Sequence, residues 1–296
     1  MIKISSKREI LEEYEGYRNL RFKVNSSNLL FCEGIAYNGE TGGIAYQYVT
    51  RGRVRDTYDR LDTVPRDGSK EDTERVIRII NNVFESALKK CHFGHGLPKD
   101  VRPVTFSKEN TSIFTDNLFS EEQQSQIINV YNEIIGKACG ILAPFGTVHG
   151  DLHPKNVIVG INDIPILIDY NYVKSEECIY TDYAKLEVHM LTMFPRKVTA
   201  SFFDRKLFER QFSFEPLILP RSGRDFLSAV IFEIRKNLWK NSMSNDIGRN
   251  YLEIDKVYRA YLAYHFLKIV KKCGVSEWSR RMAYMAILSL GGHIFK

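Results

Sequence analysis

Near the start of the chain, apolar residues fall at helical spacing. Ile10, Leu11, Tyr14, Tyr17 and Leu20 punctuate the charged stretch KREILEEYEGYRNL, which predicts a helix over residues 7–20. Ser5 or Ser6 stands where it would cap that helix. Two β-like runs follow, Leu29–Tyr37 and Gly42–Val49, separated by Asn38-Gly39, a strong hairpin signal. Residues 51–70 are charged and contain Pro65, Asp67 and Gly68, so they are expected to form a loop. Helical periodicity returns over Lys70–Lys90, and His92–Thr111 is broken by glycine and proline and expected to be irregular.

Ser120, followed by Glu121 and Glu122, opens a predicted long helix running to about Leu142, where Pro144 and Gly146 stop it. The short apolar runs Val157–Val159 and Ile164–Ile168 flank a turn at Gly160, Asn162 and Asp163, and predict a small buried hairpin. Beyond Thr181 the pattern is almost wholly helical, with stretches at Asp182–Met193, Arg224–Trp239, Asp255–Lys272 and Glu277–Leu290. The order predicts an α+β chain: a small mixed part first, a larger helical part after it, and a hinge near Val49–Arg55.

Composition narrows the class. Of 296 residues, 44% are hydrophobic and 26% charged, an ordinary globular balance that argues against disorder. The net charge of +6 is dispersed along the chain; it suits an anionic ligand, and no nucleic-acid-binding motif accompanies it. The five cysteines, Cys32, Cys91, Cys139, Cys178 and Cys273, form no C-x-x-C pair and are odd in number, which favours a reducing, cytoplasmic setting over a disulfide framework. Cys91, His92 and His95 are close enough to suggest a metal site, but no second ligand pair follows at zinc spacing. The N-terminus is charged too early for a signal peptide, and no run reaches the roughly 18 apolar residues of a membrane span.

The densest chemistry lies at His149-Gly150-Asp151-Leu152-His153-Pro154-Lys155-Asn156, which fits the pattern H-x-D-L-x-x-x-N of a kinase catalytic loop. It follows a predicted long helix and precedes a hairpin ending in Ile168-Asp169-Tyr170-Asn171. Phosphoryl transfer needs positioning and charge neutralisation more than covalent chemistry. Asp151 is placed to accept or orient an acceptor hydroxyl. Asp169 and the amide oxygen of Asn156 are the hard ligands that magnesium prefers.

The segments HGDLHPKN and ILIDY resemble the aminoglycoside phosphotransferase and choline kinase branch of the kinase superfamily, strongly over residues 120–193 and more weakly on either side. The pattern VHGDLHPKNVIV…DYAKLE also resembles kinase-like domains attached to bacterial multidomain conflict and signalling proteins. The first resemblance implies a bilobal protein-kinase-like fold, with a small mixed N-terminal lobe over residues 1–50 and a large mainly helical lobe over 51–296. The larger lobe would carry the catalytic loop 149–156 and the metal-binding hairpin 157–171. It implies ATP and magnesium as cofactors, Asp151 as catalytic base, His149 bracing the loop, and Asn156 and Asp169 as metal ligands. His153 would orient the loop or only pack, and Asp182 would serve a structural role at the start of a buried helix.

Met1-Ile2-Lys3-Ile4 resembles the strand carrying the nucleotide-binding lysine, and Glu13 the glutamate that pairs with it. Gly42–Val49 resembles the strand entering the hinge, so backbone groups of Gln47, Tyr48 and Val49 would meet adenine. Two departures stand out. Asp169-Tyr170-Asn171 replaces D-F-G, which puts regulation by loop flipping in doubt but not metal binding. No glycine-rich phosphate loop precedes Lys3, so either the chain is a fragment or its small lobe is reduced. The expected function is phosphoryl transfer to a hydroxyl of a small molecule or protein. A pseudokinase, or a nucleotide-sensing module of a larger protein, is the alternative. Asp204, Glu209 and Glu215 form no acidic cluster, so a cationic aminoglycoside acceptor is not indicated.

Overall fold

A computed structural model describes residues 2–47, 59–64, 69–93, 100–114, 116–193, 226–243 and 251–292. The expected hinge at Val49–Arg55, the turn residues Pro65, Asp67 and Gly68, and Asp204, Glu209 and Glu215 lie outside the described residues. In chain order the elements begin with β1 (Ile2–Ser6), α1 (Lys7–Arg21), β2 (Cys32–Asn38), β3 (Thr41–Tyr46), β4 (Asp59–Arg60), α2 (Lys70–Asn82), α3 (Lys89–Phe93) and β5 (Asp100–Pro103). They continue with α4 (Glu121–Ala138), β6 (Leu142–Val148), β7 (Val157–Val159), β8 (Pro165–Leu167), β9 (Lys174–Cys178) and α5 (Tyr180–Met193). The helices Phe226–Met243, Tyr251–Lys271 and Glu277–Leu290 follow and are labelled α6, α7 and α8.

The fold is mixed, mainly helical, with three small three-stranded sheets among the described residues. It divides into two compact units, each discontinuous in sequence: Met1–Asp100 with Phe145–Asp182, and Val101–Pro144 with Tyr183–Lys296. No described helix is long and apolar enough to cross a membrane.

In the first unit, β3 lies between β1 and β2, antiparallel to both, with Lys3 opposite Ile44. The hairpin expected at Asn38-Gly39 closes one residue further on: Asn38 ends β2 opposite Thr41, and the two loop residues are Gly39 and Glu40, with Gly39 in the left-handed region at a φ of 60°. The Ser6 hydroxyl caps α1 by accepting from the Glu9 N–H. The buried face of α1 runs Ile10, Glu13, Tyr17, Leu20, so a carboxylate sits inside an apolar stripe. β7 pairs with β8 to form the expected hairpin, β4 joins its outer edge, and the second half of β6 pairs with β9.

In the second unit, α4 packs on α7 and α7 on α8. α4 is capped by Ser120 in a reciprocal arrangement with Gln123. α7 is buried around nearly its whole circumference, from Val257 and Tyr258 to Leu262 and Phe266, as befits a central helix.

Several boundaries differ from expectation. The helix predicted over Lys70–Lys90 is interrupted by a π turn at Val83–Ala87, which keeps Val83, Phe84 and Ala87 buried, and resumes as α3. α4 ends at Ala138 rather than near Leu142: Gly140 adopts a φ of 84°, which closes the helix, and Leu142–Val148 becomes a strand because β9 pairs with it. The segment expected to be irregular after His92 includes a strand at Asp100–Pro103. Leu29–Phe31 precede the strand predicted there rather than belonging to it.

Candidate functional site

Strand alternation sends Ile2 and Ile4 to one face of β1 and Lys3 to the other. The Lys3 ammonium lies 2.6 Å from the Glu13 carboxylate and 3.1 Å from Oδ1 of Asp169. Burial works against the ammonium charge, but Glu13 and then Asp169 outweigh it and raise the lysine pKa. Glu13 accepts a further hydrogen bond from the Tyr46 hydroxyl. Burial, reinforced by this bond, pushes the Tyr46 hydroxyl far above its ordinary range, so it keeps the proton it donates to Glu13.

Asp169 has a φ of 63°, in the left-handed region that a non-glycine residue adopts at a cost. The neighbouring Tyr170 pins this turn. Its buried hydroxyl donates to the Leu167 carbonyl and accepts from the Leu30 N–H at 2.9 Å. Gly16 lets α1 approach: a Cβ there would lie 1.9 Å from the Tyr170 carbonyl oxygen.

The loop between β6 and β7 is organised from below by Asp182, at the start of α5. Its Oδ2 accepts from the His149 N–H and its Oδ1 from the Gly150 N–H, both at 2.9 Å. Nε2 of His92 lies 3.0 Å from the same Oδ2. Burial opposes the Asp182 charge, but the His92 bond and the backbone N–H groups more than offset it and hold the carboxyl below its usual range. Gly150 has a φ of 73°, and a Cβ there would sit 2.1 Å from the Tyr172 carbonyl oxygen, so only glycine fits.

His149 ties the two sides together. Burial lowers its pKa and keeps the imidazole neutral. Its Nδ1 accepts from the Asp151 N–H at 3.3 Å, so Nε2 carries the proton and donates to the Ile168 carbonyl at 3.0 Å. One ring thus bridges the main chain of Asp151 to the residue before Asp169.

Asn156 donates through Nδ2 to the Asp151 carbonyl at 3.0 Å and to its Oδ2 at 3.1 Å. With its NH₂ group turned to Asp151, its amide oxygen accepts no hydrogen bond among the described residues. The Ile168 N–H donates to the Asn156 carbonyl at 3.1 Å, which brings residue 156 beside the start of the Asp169 turn. Nε2 of His153 stands 3.5 Å from Oδ2 of Asp151.

Lys3, Glu13, His149, Asp151, Asn156 and Asp169 therefore share one compact unit and one chain of contacts. Gln47 is exposed, and its N–H bonds to the Phe31 carbonyl, which does not join it to this group. Tyr48 and Val49 lie outside the described residues. His92 turns its ring to Asp182, burial pushes the Cys91 thiol up to about 12, and His95 is outside the described residues. Among the described residues no group of three or more His, Cys, Asp and Glu side chains converges as a self-contained metal site. The sequence singles out neither Tyr46 nor Gly16, and it offers His92 only as a metal candidate. A glycine inside a helix is the one available signal for Gly16.

A family model described as ternary complex associated domain 9 matches residues 128–217, less than a third of the chain. The match takes in the second half of α4, the loop 149–156, the β7–β8 hairpin and α5. No curated protein matches the chain.

Proposed function

We propose that the chain has a bilobal kinase-like fold and is an ATP- and magnesium-dependent phosphotransferase acting on a hydroxyl of a small molecule or protein. One observation carries this reading. Lys3 is ion-paired to both Glu13 and Asp169, while Asp151 and Asn156 are linked to the Asp169 turn through His149 and the hairpin. An ammonium held beside one buried and one half-exposed carboxylate is oriented to meet phosphate oxygens. Asp151, anchored by Asn156 and by its own N–H, is held to accept the proton of an acceptor hydroxyl.

The donor set fits magnesium. Such an ion takes one or two protein oxygens and completes its shell with phosphates and water, so no all-protein cage is required. Asp169 and the Asn156 amide oxygen would hold it, and when bound it would neutralise charge on the phosphates. Lys3 would bind the phosphates, and His149 would keep the two acidic positions in register.

Titration calorimetry with ATP and magnesium tests this reading. The wild type should bind, and Asp169→Ala should lose at least about tenfold in magnesium-dependent affinity, roughly 1.4 kcal/mol. A wild type that does not bind, or a variant that binds unchanged, would contradict the assignment. A second reading is a nucleotide-sensing module without turnover. The description of the matched family model, ternary complex associated domain 9, names no reaction and leaves room for this alternative. Binding without ATP consumption would support it.

A further inference from the structure

The catalytic-loop motif does not contain every group that shapes the loop. His92, on the short helix α3, is fully buried, and its Nε2 lies 3.0 Å from Oδ2 of an equally buried Asp182. The same carboxylate also accepts from the N–H groups of His149 and Gly150, the two residues immediately before Asp151. One carboxylate thus gathers three donors, and two of them are the main chain that presents the proposed base.

A second contact joins His92 to the same junction. Gly146 lies in β6, three residues before His149, and a Cβ there would come within 2.5 Å of the His92 carbonyl oxygen and 3.1 Å of that of Cys91. The absence of a side chain at 146 therefore lets the α3 backbone rest directly on the strand that feeds the loop. The main chain of His92 is fixed on that strand, and its ring is fixed on the carboxylate that holds the loop.

We infer that His92 is a positioning residue of the phosphotransfer site. It sets the orientation of Asp182, and Asp182 sets the His149–Gly150 peptides and hence the place of Asp151. The two main-chain donors come from adjacent residues and reach the carboxylate from the loop alone. The imidazole supplies a third, rigid donor from a different element, which narrows the torsional range left to the side chain. Misplacement of a reacting group by about 1 Å can cost on the order of 10²-fold in rate, so a small rotation is enough to matter. The inference rests on the phosphotransferase reading for its catalytic consequence, but its structural core is independent of that reading.

The test uses the full chain in three forms: wild type, His92→Phe, which keeps an aromatic ring without the donor, and His92→Gln, which keeps a donor near the Nε2 position. Amide hydrogen exchange is followed at His149 and Gly150, with the amides of α1, in the same compact unit, as an internal reference for folding. Magnesium-dependent ATP turnover with water as acceptor, and the affinity for magnesium and ATP, are measured alongside. Exchange at the two amides should be about tenfold or more faster in His92→Phe and close to wild type in His92→Gln. Turnover should fall by about tenfold or more in His92→Phe with KM for ATP little changed, and recover in His92→Gln. Should His92→Phe fail to fold, His92→Asn, whose shorter side chain does not reach Asp182, carries the comparison.

Wild-type protection at His149 and Gly150 in the donor-less variant would overturn the inference, as would equal losses in the Phe and Gln variants. Destabilisation of α1 in step with the loop would assign His92 to stability alone and would equally overturn it. A wild type that never consumes ATP would defeat the phosphotransferase reading, while the exchange comparison would still decide the role of His92.

Discussion

The two compact units both keep charge away from water, but they do so differently. In the second unit, Arg235 donates to both oxygens of Glu187, and the Tyr258 hydroxyl donates to the same carboxylate at 2.7 Å. The side chains of Arg235 and Glu187 are 3% and 0% exposed. In the first unit, Lys3, Glu13 and Asp169 form a comparable cluster, but Lys3 and Asp169 are each 36% exposed and only Glu13, at 2%, is sealed. The sealed cluster satisfies its own groups and leaves no face for a ligand. The half-open one anchors an ammonium from below and presents a lysine and an aspartate to solvent. Burial therefore separates a charge network that is closed on itself from one that keeps a lysine and an aspartate open to solvent, where the proposed reading would have phosphate bind.

The largest test of this contrast is Glu187→Gln. It leaves the Arg235 guanidinium buried without its counter-charge, which should cost about 3–5 kcal/mol, whereas Asp169→Asn in the half-open cluster should cost within about 1 kcal/mol. Denaturant unfolding monitored by circular dichroism would measure both. Equal costs would break the distinction.

The two units also use a helical glycine differently. A Cβ on Gly16 in α1 would lie 1.9 Å from the Tyr170 carbonyl oxygen, whereas a Cβ on Gly136 in α4 would meet nothing within 4 Å. Gly16→Ala should therefore destabilise by about 1–3 kcal/mol, because backbone must move. Gly136→Ala should stabilise by up to about 1 kcal/mol through helix propensity alone. Thermal melts of the two variants should shift in opposite directions, and a shared sign would remove the close-approach argument.

Much of this frame is legible in sequence, and the parts that are not share a cause. Ser6 and Ser120 cap the helices expected of them, the hairpin signalled by Asn38-Gly39 forms with Gly39 and Glu40 as its loop residues, and the β7–β8 hairpin follows the loop as its short apolar runs predict. These are local signals, readable within a few residues. β6 is hidden because its strand character depends on β9, some thirty residues away in sequence, while Pro144 and Gly146 read as helix breakers. The role of His92 is hidden for the same reason. Its partner Asp182 lies 90 positions further along the chain, and the nearby Cys91 and His95 suggest a metal instead. The ion pair of Lys3 with Glu13 is readable only through family resemblance, since ten positions separate the two and no periodicity couples a strand to a helix.

The smallest effect expected concerns pH. Burial lowers the His149 pKa in the folded state below its unfolded value of about 6.5, so between the two values the unfolded chain binds more protons. The stabilisation is fully present above about pH 6.5 and is lost as the pH falls toward the folded pKa. Unfolding free energies measured across this range should fall with acidity more steeply in wild type than in His149→Phe. Parallel curves would show that His149 is not held neutral by burial.

The central claim is that Asp151 acts on an acceptor while the charges around Asp169 hold the nucleotide. The direct measurement is ATP consumption by wild type and Asp151→Asn, with ATP affinity determined on the same samples. The carboxylate would act mainly in the transition state, so turnover should fall about 10²–10⁴-fold while affinity stays nearly constant or tightens slightly as like charge is relieved. Undiminished turnover in Asp151→Asn, or a loss of binding equal to the loss of rate, would contradict it.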